Sequence, residues 1–177
     1  QYRGRFPSIC RGNNHRISLV IGDDVLIRGP IEIWYRDENS SIVIDNNVKI
    51  DSYCRFCISG TATFRLDSGV KLGSRNNLSG GEDICIGSFS QLGGDICICS
   101  STHSTSINHA INEPYFIHKS VKIGNKAWIG TGTRVLPGIN VGQGVIVGCN
   151  SVVNKSIEKD DSIYAGSPVR LLRKRTE

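Results

Sequence analysis

Methionine is absent from this 177-residue chain, and aromatic residues are scarce at 7% of the sequence. The missing methionine leads us to expect that an N-terminal piece precedes Gln1. No run of about 18 apolar residues occurs, so the sequence predicts no membrane span. No secretory signal is recognisable either. We therefore expect a cytoplasmic protein in which one domain buries a single elongated core.

Helical periodicity is also lacking, because no amphipathic helix pattern stands out before Ser167. The chain instead repeats every six residues. Aliphatic residues recur at this spacing as Ile123, Ile129, Val135, Val141, Val147 and Val153. A period of six fits neither a helix nor a simple alternation. It suits a parallel β-helix with flat sides, since each side takes one hexapeptide and each corner needs a tight turn.

The same pattern continues upstream in broken form. Its aliphatic starts are Ile21, Ile44, Leu66, Ile86, Ile123 and Val141, at steps of 23, 22, 20, 37 and 18 residues. Three hexapeptides make a coil of 18 residues, so the step of 37 contains one large extruded loop, at about residues 100–120. Loops of a solenoid commonly carry its function. We expect a lead-in segment over 1–16, a β-helix over 17–169 and a basic tail over 170–177.

The formal net charge is +5, and much of it lies in the tail, in Arg170, Arg173, Lys174 and Arg175. Such a cluster is either a solvated surface or an electrostatic site for a phosphorylated ligand. Aromatic residues do not alternate with the basic ones, and no nucleic-acid-binding motif is present. The sequence therefore predicts no nucleic-acid partner.

Seven cysteines are present, an odd number. Together with the lack of a secretory signal, this favours reduced thiols over a disulfide framework. Cys54 and Cys57 have CxxC spacing, but no second pair follows at the distance of a zinc ribbon. We expect no metal.

Residues 121–169, together with Arg170 directly after them, contain the motifs IGxxxWIG, xPG, VGxxSVV and AGSPVR. This segment resembles the C-terminal coils of the hexapeptide acyltransferases, which include maltose and galactoside O-acetyltransferases, xenobiotic acetyltransferases and surface-polysaccharide O-acetyltransferases. The motifs match over about residues 84–173, whereas residues 17–83 match in periodicity only. The resemblance implies a left-handed parallel β-helix, acetyl-CoA as the acyl donor, and a homotrimer with donor sites between adjacent helices.

The resemblance also implies which residues bind the donor. They are Trp128, Gly130, Thr131, Gly148, Cys149, Lys155, Arg170 and Arg173. The pantetheine arm is expected to pass the four residues from Gly130 to Cys149, and the three basic residues are expected near the nucleotide, where cations suit phosphates. For Lys155 a solvated surface charge is an equal alternative. Trp128 either packs beside the core or helps to place the acyl group.

His103 is the expected catalytic base. It follows Ile86 by 17 residues, which is the spacing of the catalytic histidine in similar acetyltransferases. A neutral imidazole can take the proton of the acceptor as the acceptor attacks the thioester carbonyl. The oxyanion then needs a hydrogen-bond donor, often a backbone N–H. No covalent enzyme intermediate is required.

The acceptor is expected to contact Asn76, Asn77 and His109. The most similar sugar acetyltransferases carry an asparagine 30 residues before the catalytic histidine and an aspartate further on. The corresponding positions here are Gly73 and Gly81. This difference favours a sugar hydroxyl of a bacterial surface polysaccharide or its precursor over a small galactoside or maltose acceptor.

Other functions remain alternatives to this O-acetyltransferase. One is N-acetylation of an amino sugar, and another is acetylation of a xenobiotic. A γ-type carbonic anhydrase needs two histidine ligands five residues apart, but the spacings from His103 to His109 and from His109 to His118 are six and nine. A non-catalytic β-helix that acts as a scaffold or an ice-binding surface is a further alternative. An ice-binding helix would repeat its threonines, and Thr131 and Thr133 do not recur through the coils.

Overall fold

The structure is a computed structural model that describes residues 3–4, 8–11, 17–37 and 39–176. Within these ranges the chain has no helix and winds into successive coils of short parallel strands. Each coil adds one strand to each of three sheets, which we call A, B and C in chain order. The predicted all-β parallel β-helix with one extruded loop is confirmed.

The strands of the described residues are as follows. Sheet A contains β1 (Arg3–Gly4), β4 (Leu26–Ile27), β7 (Lys49–Ile50), β10 (Lys71–Leu72), β13 (Gln91–Leu92), β18 (Trp128–Ile129), β21 (Ile146–Val147), β23 (Ser162–Ala165) and β24 (Arg170–Lys174). Sheet B contains β2 (Ser8–Arg11), β5 (Glu32–Tyr35), β8 (Arg55–Ile58), β11 (Asn77–Gly80), β14 (Cys97–Cys99), β19 (Arg134–Val135) and β22 (Val152–Val153). Sheet C contains β3 (Ser18–Ile21), β6 (Ser41–Ile44), β9 (Thr63–Leu66), β12 (Ile84–Ile86), β17 (Val121–Ile123) and β20 (Asn140–Val141). The remaining strands, β15 (Ser101–His103) and β16 (Phe116–His118), form a separate antiparallel pair.

The aliphatic starts read from the sequence form one vertical column in sheet C. Ile21 pairs with Ile44, Ile44 with Leu66, and Leu66 with Ile86, in parallel register. The column continues across the extruded loop, because Ile86 pairs with Ile123. The extra residues of the long step therefore lie in the loop, and the coils on either side of it stack in the same register.

Inward-facing side chains fill the helix. Ile42 and Ile44 on β6, for example, are buried, whereas Ser41 and Val43 lie on the outer face. Phe56 on β8 and Phe64 on β9 are the largest of the fully buried side chains. They come from successive sides of the helix. One coil alone could not bury such side chains, so the core depends on the stacking of neighbouring coils.

The extruded loop is a hairpin that we call the arm, residues 101–118. Its strands pair Ser101 with His118, Thr102 with Ile117 and His103 with Phe116. The arm leaves the helix between sheets B and C, at the corner that we call the B–C corner. Ile107 near its tip is fully exposed.

Both ends of the chain contain strands that join the helix. In the lead-in segment, β1 pairs with β4 and β2 pairs with β5, both in parallel. In the basic tail, β24 runs antiparallel to β23 and closes sheet A. Residues 1–2, 5–7, 12–16 and 177 of these segments lie outside the described residues, and the predicted three-part division stays a prediction.

Among the described residues we find no helix long and apolar enough to cross a bilayer.

Replacing Phe64 tests whether the interior is packed as a single core. Phe64→Ala should lower the free energy of unfolding by about 3–5 kcal/mol, because it removes a wholly buried ring and leaves a cavity. Thermal unfolding followed by circular dichroism measures the change. Val20→Ala on the same sheet is the control, since Val20 is 52% exposed. A Phe64→Ala protein as stable as this control would contradict the packing.

Candidate active site

The side chain of His103 lies exposed on the arm, two residues beyond its root. Its ring centroid is 4.6 Å from that of Phe116, the residue paired with it on the opposite strand. The hairpin register therefore presents the imidazole beside an aromatic ring and open to solvent. This arrangement leaves a ring nitrogen accessible to a ligand.

His109 belongs to the distal part of the arm. Its ring stacks on Tyr115 with centroids 3.9 Å apart, and its Nδ1 lies 3.9 Å from Glu113 Oε2. Tyr115 precedes β16, so these contacts shape the turn of the arm. His109 and His103 thus lie on the same element but on different parts of it.

Four of the predicted donor-binding residues lie together at the corner between sheets A and B, the A–B corner. Gly130 and Thr131 follow β18, and Gly148 and Cys149 follow β21, which pairs with β18 one coil further. A Cβ on Gly130 would come within 2.6 Å of the backbone nitrogen of Cys149. A side chain there would force the coils apart, so glycine is required. Thr131 and Cys149 are exposed.

Trp128 begins β18 on the outer face of sheet A and is 50% exposed. Trp128 is therefore not part of the buried core. It precedes Gly130, the first of the corner residues, by two residues.

The basic candidates are divided between two places. Lys155 is exposed and follows β22 at the B–C corner. Arg170 and Arg173 are exposed on β24, the last strand of sheet A. Arg170 donates a hydrogen bond to the backbone carbonyl of Val169, and Arg173 donates one to that of Lys174.

The candidates therefore form two groups separated by the outer face of sheet B. His103, His109 and Lys155 lie on the B–C side, and the Gly130–Cys149 group lies at the A–B corner. Because the coils stack in register, these two edges run parallel along the helix and do not meet within one chain.

The two asparagines differ in environment. Asn76 is fully buried, and its amide donates to the carbonyls of Gly73 and Gly93, each at 2.9 Å, while its Oδ1 accepts the Ile96 N–H at 2.8 Å. These bonds occupy Asn76 inside the helix and leave no amide hydrogen for an acceptor. Asn77 faces outward and is partly buried, and its Oδ1 is buried without a hydrogen-bond partner in the part of the chain that the structure describes.

A pair of thiols lies on the outer face of sheet B, next to Asn77. Cys97 and Cys99 point to the same side of β14, with their sulfurs 3.4 Å apart. The hydrogen bond from Cys97 lowers the pKa of Cys99 to about 6, and the same interaction raises the pKa of Cys97. Elsewhere, burial raises the pKa of the Cys54 thiol to about 11. The six cysteines with described side chains are free.

Sequence reasoning missed the polar contacts at the root of the arm. Ser101 Oγ lies 2.6 Å from Nδ1 of His118 and accepts the Gly81 N–H at 2.7 Å. A Cβ on Gly81 would lie 2.8 Å from the same Nδ1, so the glycine makes room for the imidazole. The strand pairing of the arm creates these contacts, and no local sequence motif indicates them.

A groove of about 690 Å³ opens between the root of the arm and the outer face of sheet B. Its lining includes Trp34, Cys57, Ser79, Ser101, Phe116 and His118. The periodicity of the sequence could have placed Trp34, Cys57 and Ser79 in successive coils. It could not have placed Phe116 and His118 beside them.

No group of three or more His, Cys, Asp or Glu side chains suited to a metal ion occurs among the described residues.

No family model matches the chain. Among curated proteins, a putative acetyltransferase of Schizosaccharomyces pombe, C18B11.09c, is 34% identical over 91 residues, which cover 51% of this chain and 43% of that protein. The putative lipopolysaccharide biosynthesis O-acetyl transferase WbbJ of Escherichia coli is 44% identical over 55 residues, which cover 31% of this chain and 28% of WbbJ. The chain thus matches less than half the length of these relatives.

Among solved structures, a point mutant of AntD is similar over most of both chains. AntD is an N-acyltransferase from Bacillus cereus, and this mutant was crystallised with dTDP-4-amino-4,6-dideoxyglucose and coenzyme A. The TM-score is 0.74 and the identity 27%, with 89% of this chain and 84% of AntD covered. The coil architecture matches that of the left-handed β-helix acyltransferases, as the sequence motifs predicted.

The thiol pair provides a test of local electrostatics. Because the pKa of Cys99 is lowered, its thiolate should be present above about pH 6, and alkylation by iodoacetamide should reach half its limiting rate near that pH. Cys97→Ala removes the hydrogen bond and should move this midpoint upward, towards 9, the ordinary value for a thiol. Peptide mass spectrometry measures the rate at each cysteine.

Cys149 is the internal control, because it is exposed at the A–B corner, away from the pair. Its rate should not respond to Cys97→Ala. An unchanged Cys99 midpoint in this variant would show that the hydrogen bond has no effect.

Proposed function

We propose that this chain, a homologue of the hexapeptide-repeat acyltransferases, transfers an acetyl group from acetyl-CoA to a sugar hydroxyl of a bacterial surface polysaccharide or its precursor. His103 is the proposed general base. The cytoplasm is the proposed compartment, because the donor is acetyl-CoA. The observation that carries the proposal is the exposed imidazole of His103 on an arm that interrupts an otherwise regular stack of coils.

The proposed reaction uses His103 for proton transfer. The neutral imidazole accepts the proton of the sugar hydroxyl while the oxygen attacks the thioester carbonyl. The tetrahedral intermediate then breaks its C–S bond, and the leaving thiolate of coenzyme A takes the proton from the imidazolium. The products are the acetyl ester and free coenzyme A, so His103 returns to its neutral state.

The A–B corner supports the proposed donor site. Thr131 and Cys149 are exposed, and the adjoining glycines bring the backbone of neighbouring coils close together. An extended pantetheine arm suits a narrow surface with small side chains and accessible backbone groups. Arg170 and Arg173 can reach phosphates, as can Lys155 from a neighbouring copy. AntD, whose crystals contain coenzyme A, is consistent with such a donor.

The proposed homotrimer follows from the separation of the two groups. His103 and the A–B corner lie on different edges of sheet B, so one chain does not supply both halves of a transfer site. Packing the B–C edge of one copy against the A–B edge of the next would bring them together. A contact between two different edges is a heterologous interface. It generates a closed ring when the rotation that relates one copy to the next closes.

N-acylation of an amino sugar is the second candidate function. It is favoured by the likeness to AntD, an N-acyltransferase crystallised with an amino sugar nucleotide. An amine attacks only in its neutral form, so an N-acyltransferase should gain rate as the pH rises through the pKa of the acceptor amine. Comparing matched amino and hydroxyl sugars over a pH range separates the two reactions.

His103→Ala tests the proposed base. With release of the coenzyme A thiol as the measure, kcat should fall by about 10²–10⁴-fold, since general base catalysis contributes this much. Calorimetry should show acetyl-CoA binding to the wild type and to the variant with the same affinity. Thr105→Ala is the control, because Thr105 is also exposed on the arm and belongs to no proposed site.

Turnover by His103→Ala within a few-fold of the wild type would remove His103 as the base. Absence of acetyl-CoA binding to both proteins would remove the acyltransferase proposal and leave a non-catalytic β-helix.

The terminal strand offers a test of donor binding. Arg173→Glu should weaken acetyl-CoA binding by about tenfold, because a contact with phosphate is replaced by repulsion. Lys122→Glu makes the same change of charge on sheet C, where Lys122 is exposed, and should leave the affinity unchanged. Calorimetry at two salt concentrations measures both. Equal effects of the two variants would indicate that net charge alone is responsible.

A further inference from the structure

We infer that the groove at the root of the arm binds an uncharged oligosaccharide segment of at least two linked sugar rings, and that Trp34 is its principal aromatic contact. This inference rests on the proposed function, because it names the kind of acceptor that the transfer site receives. It concerns where that acceptor lies and which side chains select it.

Two aromatic side chains line the groove. Trp34 comes from β5 and is 48% exposed, and Phe116 comes from β16 and is 46% exposed. The indole N–H of Trp34 donates to Glu32 Oε2 at 3.1 Å, which fixes the ring on the face of sheet B. Two exposed rings that line one groove offer apolar faces on which a ligand can stack.

The groove adjoins the proposed base through Phe116, and His103 itself is not one of its lining residues. Phe116 is both a wall of the groove and the ring against which His103 packs, at a centroid distance of 4.6 Å. A sugar ring held on Phe116 therefore lies beside the imidazole. The groove is on this ground the acceptor side of the transfer site.

Polar groups also line the groove. His118 is oriented by Ser101 Oγ at 2.6 Å, and Ser101 is in turn held by the Gly81 N–H. Ser59 and Ser79 add hydroxyl groups from two successive coils. A mostly apolar groove with a few fixed hydrogen-bonding groups suits a ligand with hydroxyl groups and apolar ring faces.

The charges of the groove argue against an anionic ligand. Among the described lining residues, Arg36 and Asp37 provide one charge of each sign. Asp37 Oδ2 also accepts the Gly60 N–H at 2.8 Å, which holds the carboxylate in place. A pyrophosphate or a polyanionic glycan needs an excess of cationic side chains, and the described lining does not supply it.

The direction of the groove sets the size of the ligand. Its lining crosses from β5 through β8 and β11 to the arm. Neighbouring strands are about 4.8 Å apart, so three spacings give a length of roughly 14 Å along the helix axis. This length exceeds a single sugar ring and fits a short chain.

The binding test uses the fluorescence of Trp34, so it needs no catalysis. The chain has two tryptophans, Trp34 and Trp128, and Trp128→Phe leaves Trp34 as the single reporter. Neutral malto-, cello-, chito- and galacto-oligosaccharides of two to four units are titrated against this variant, next to polysialic acid and a dTDP-sugar. The parent monosaccharides are titrated as well. We expect at least one neutral oligomer to shift the Trp34 emission, with affinity that rises from the monosaccharide to the trisaccharide.

Trp34→Ala tests the same contact in turnover. KM for the oligosaccharide acceptor should rise at least tenfold, while kcat changes little and acetyl-CoA binding stays unchanged. Trp34→Phe should restore most of the loss, because it keeps an aromatic face. Val20→Ala, an exposed apolar truncation on sheet C, is the matched control and should leave KM unchanged.

Outcomes distinguish this inference from the proposed function. Acetyl-CoA binding and a His103-dependent turnover, without any response of Trp34 to the neutral oligomers, would overturn the groove assignment alone. A response only to the dTDP-sugar or to polysialic acid would overturn the uncharged character of the ligand. A Trp34 response without acetyl-CoA binding would support the groove and contradict the transferase.

Discussion

The in-register stacking of coils is the constraint on which the rest of this structure depends. In sheet C, Ile44 lies under Leu66 and Leu66 under Ile86, and the apolar column continues at Ile123 after the arm. A shift of one residue would turn every buried aliphatic outward, so register is strongly specified. Extra residues can therefore leave the helix only at its corners, and the arm does so at the B–C corner.

Fixed register also determines what the surface can do. Side chains at matching positions of neighbouring coils lie one strand spacing apart. A binding surface on the outer face therefore consists of side chains that form a ladder along the helix axis. Trp34, Cys57 and Ser79 form such a ladder on sheet B, and the arm stands against it. The groove exists because a regular surface meets one irregular element.

The same regularity limits a single chain. An exposed histidine on the arm and a glycine-rich corner at Gly130 and Gly148 lie on two parallel edges that do not converge. Catalysis that uses both edges would therefore combine two copies of the chain rather than two parts of one copy. Asn76 illustrates the opposite use of a polar residue, because its three hydrogen bonds close the A–B corner and serve stability.

Periodicity in the sequence determined the parallel β-helix, the positions of its coils and the place of the arm, because each depends on residues near one another in the chain. It also placed Thr131 and Cys149 in successive coils. Only the tertiary structure decided that Asn76 is buried, that Cys97 and Cys99 share a hydrogen bond, and that Phe116 and His118 line one groove with Trp34. These last contacts depend on how the arm pairs its strands and leans on sheet B, and no repeat encodes that geometry.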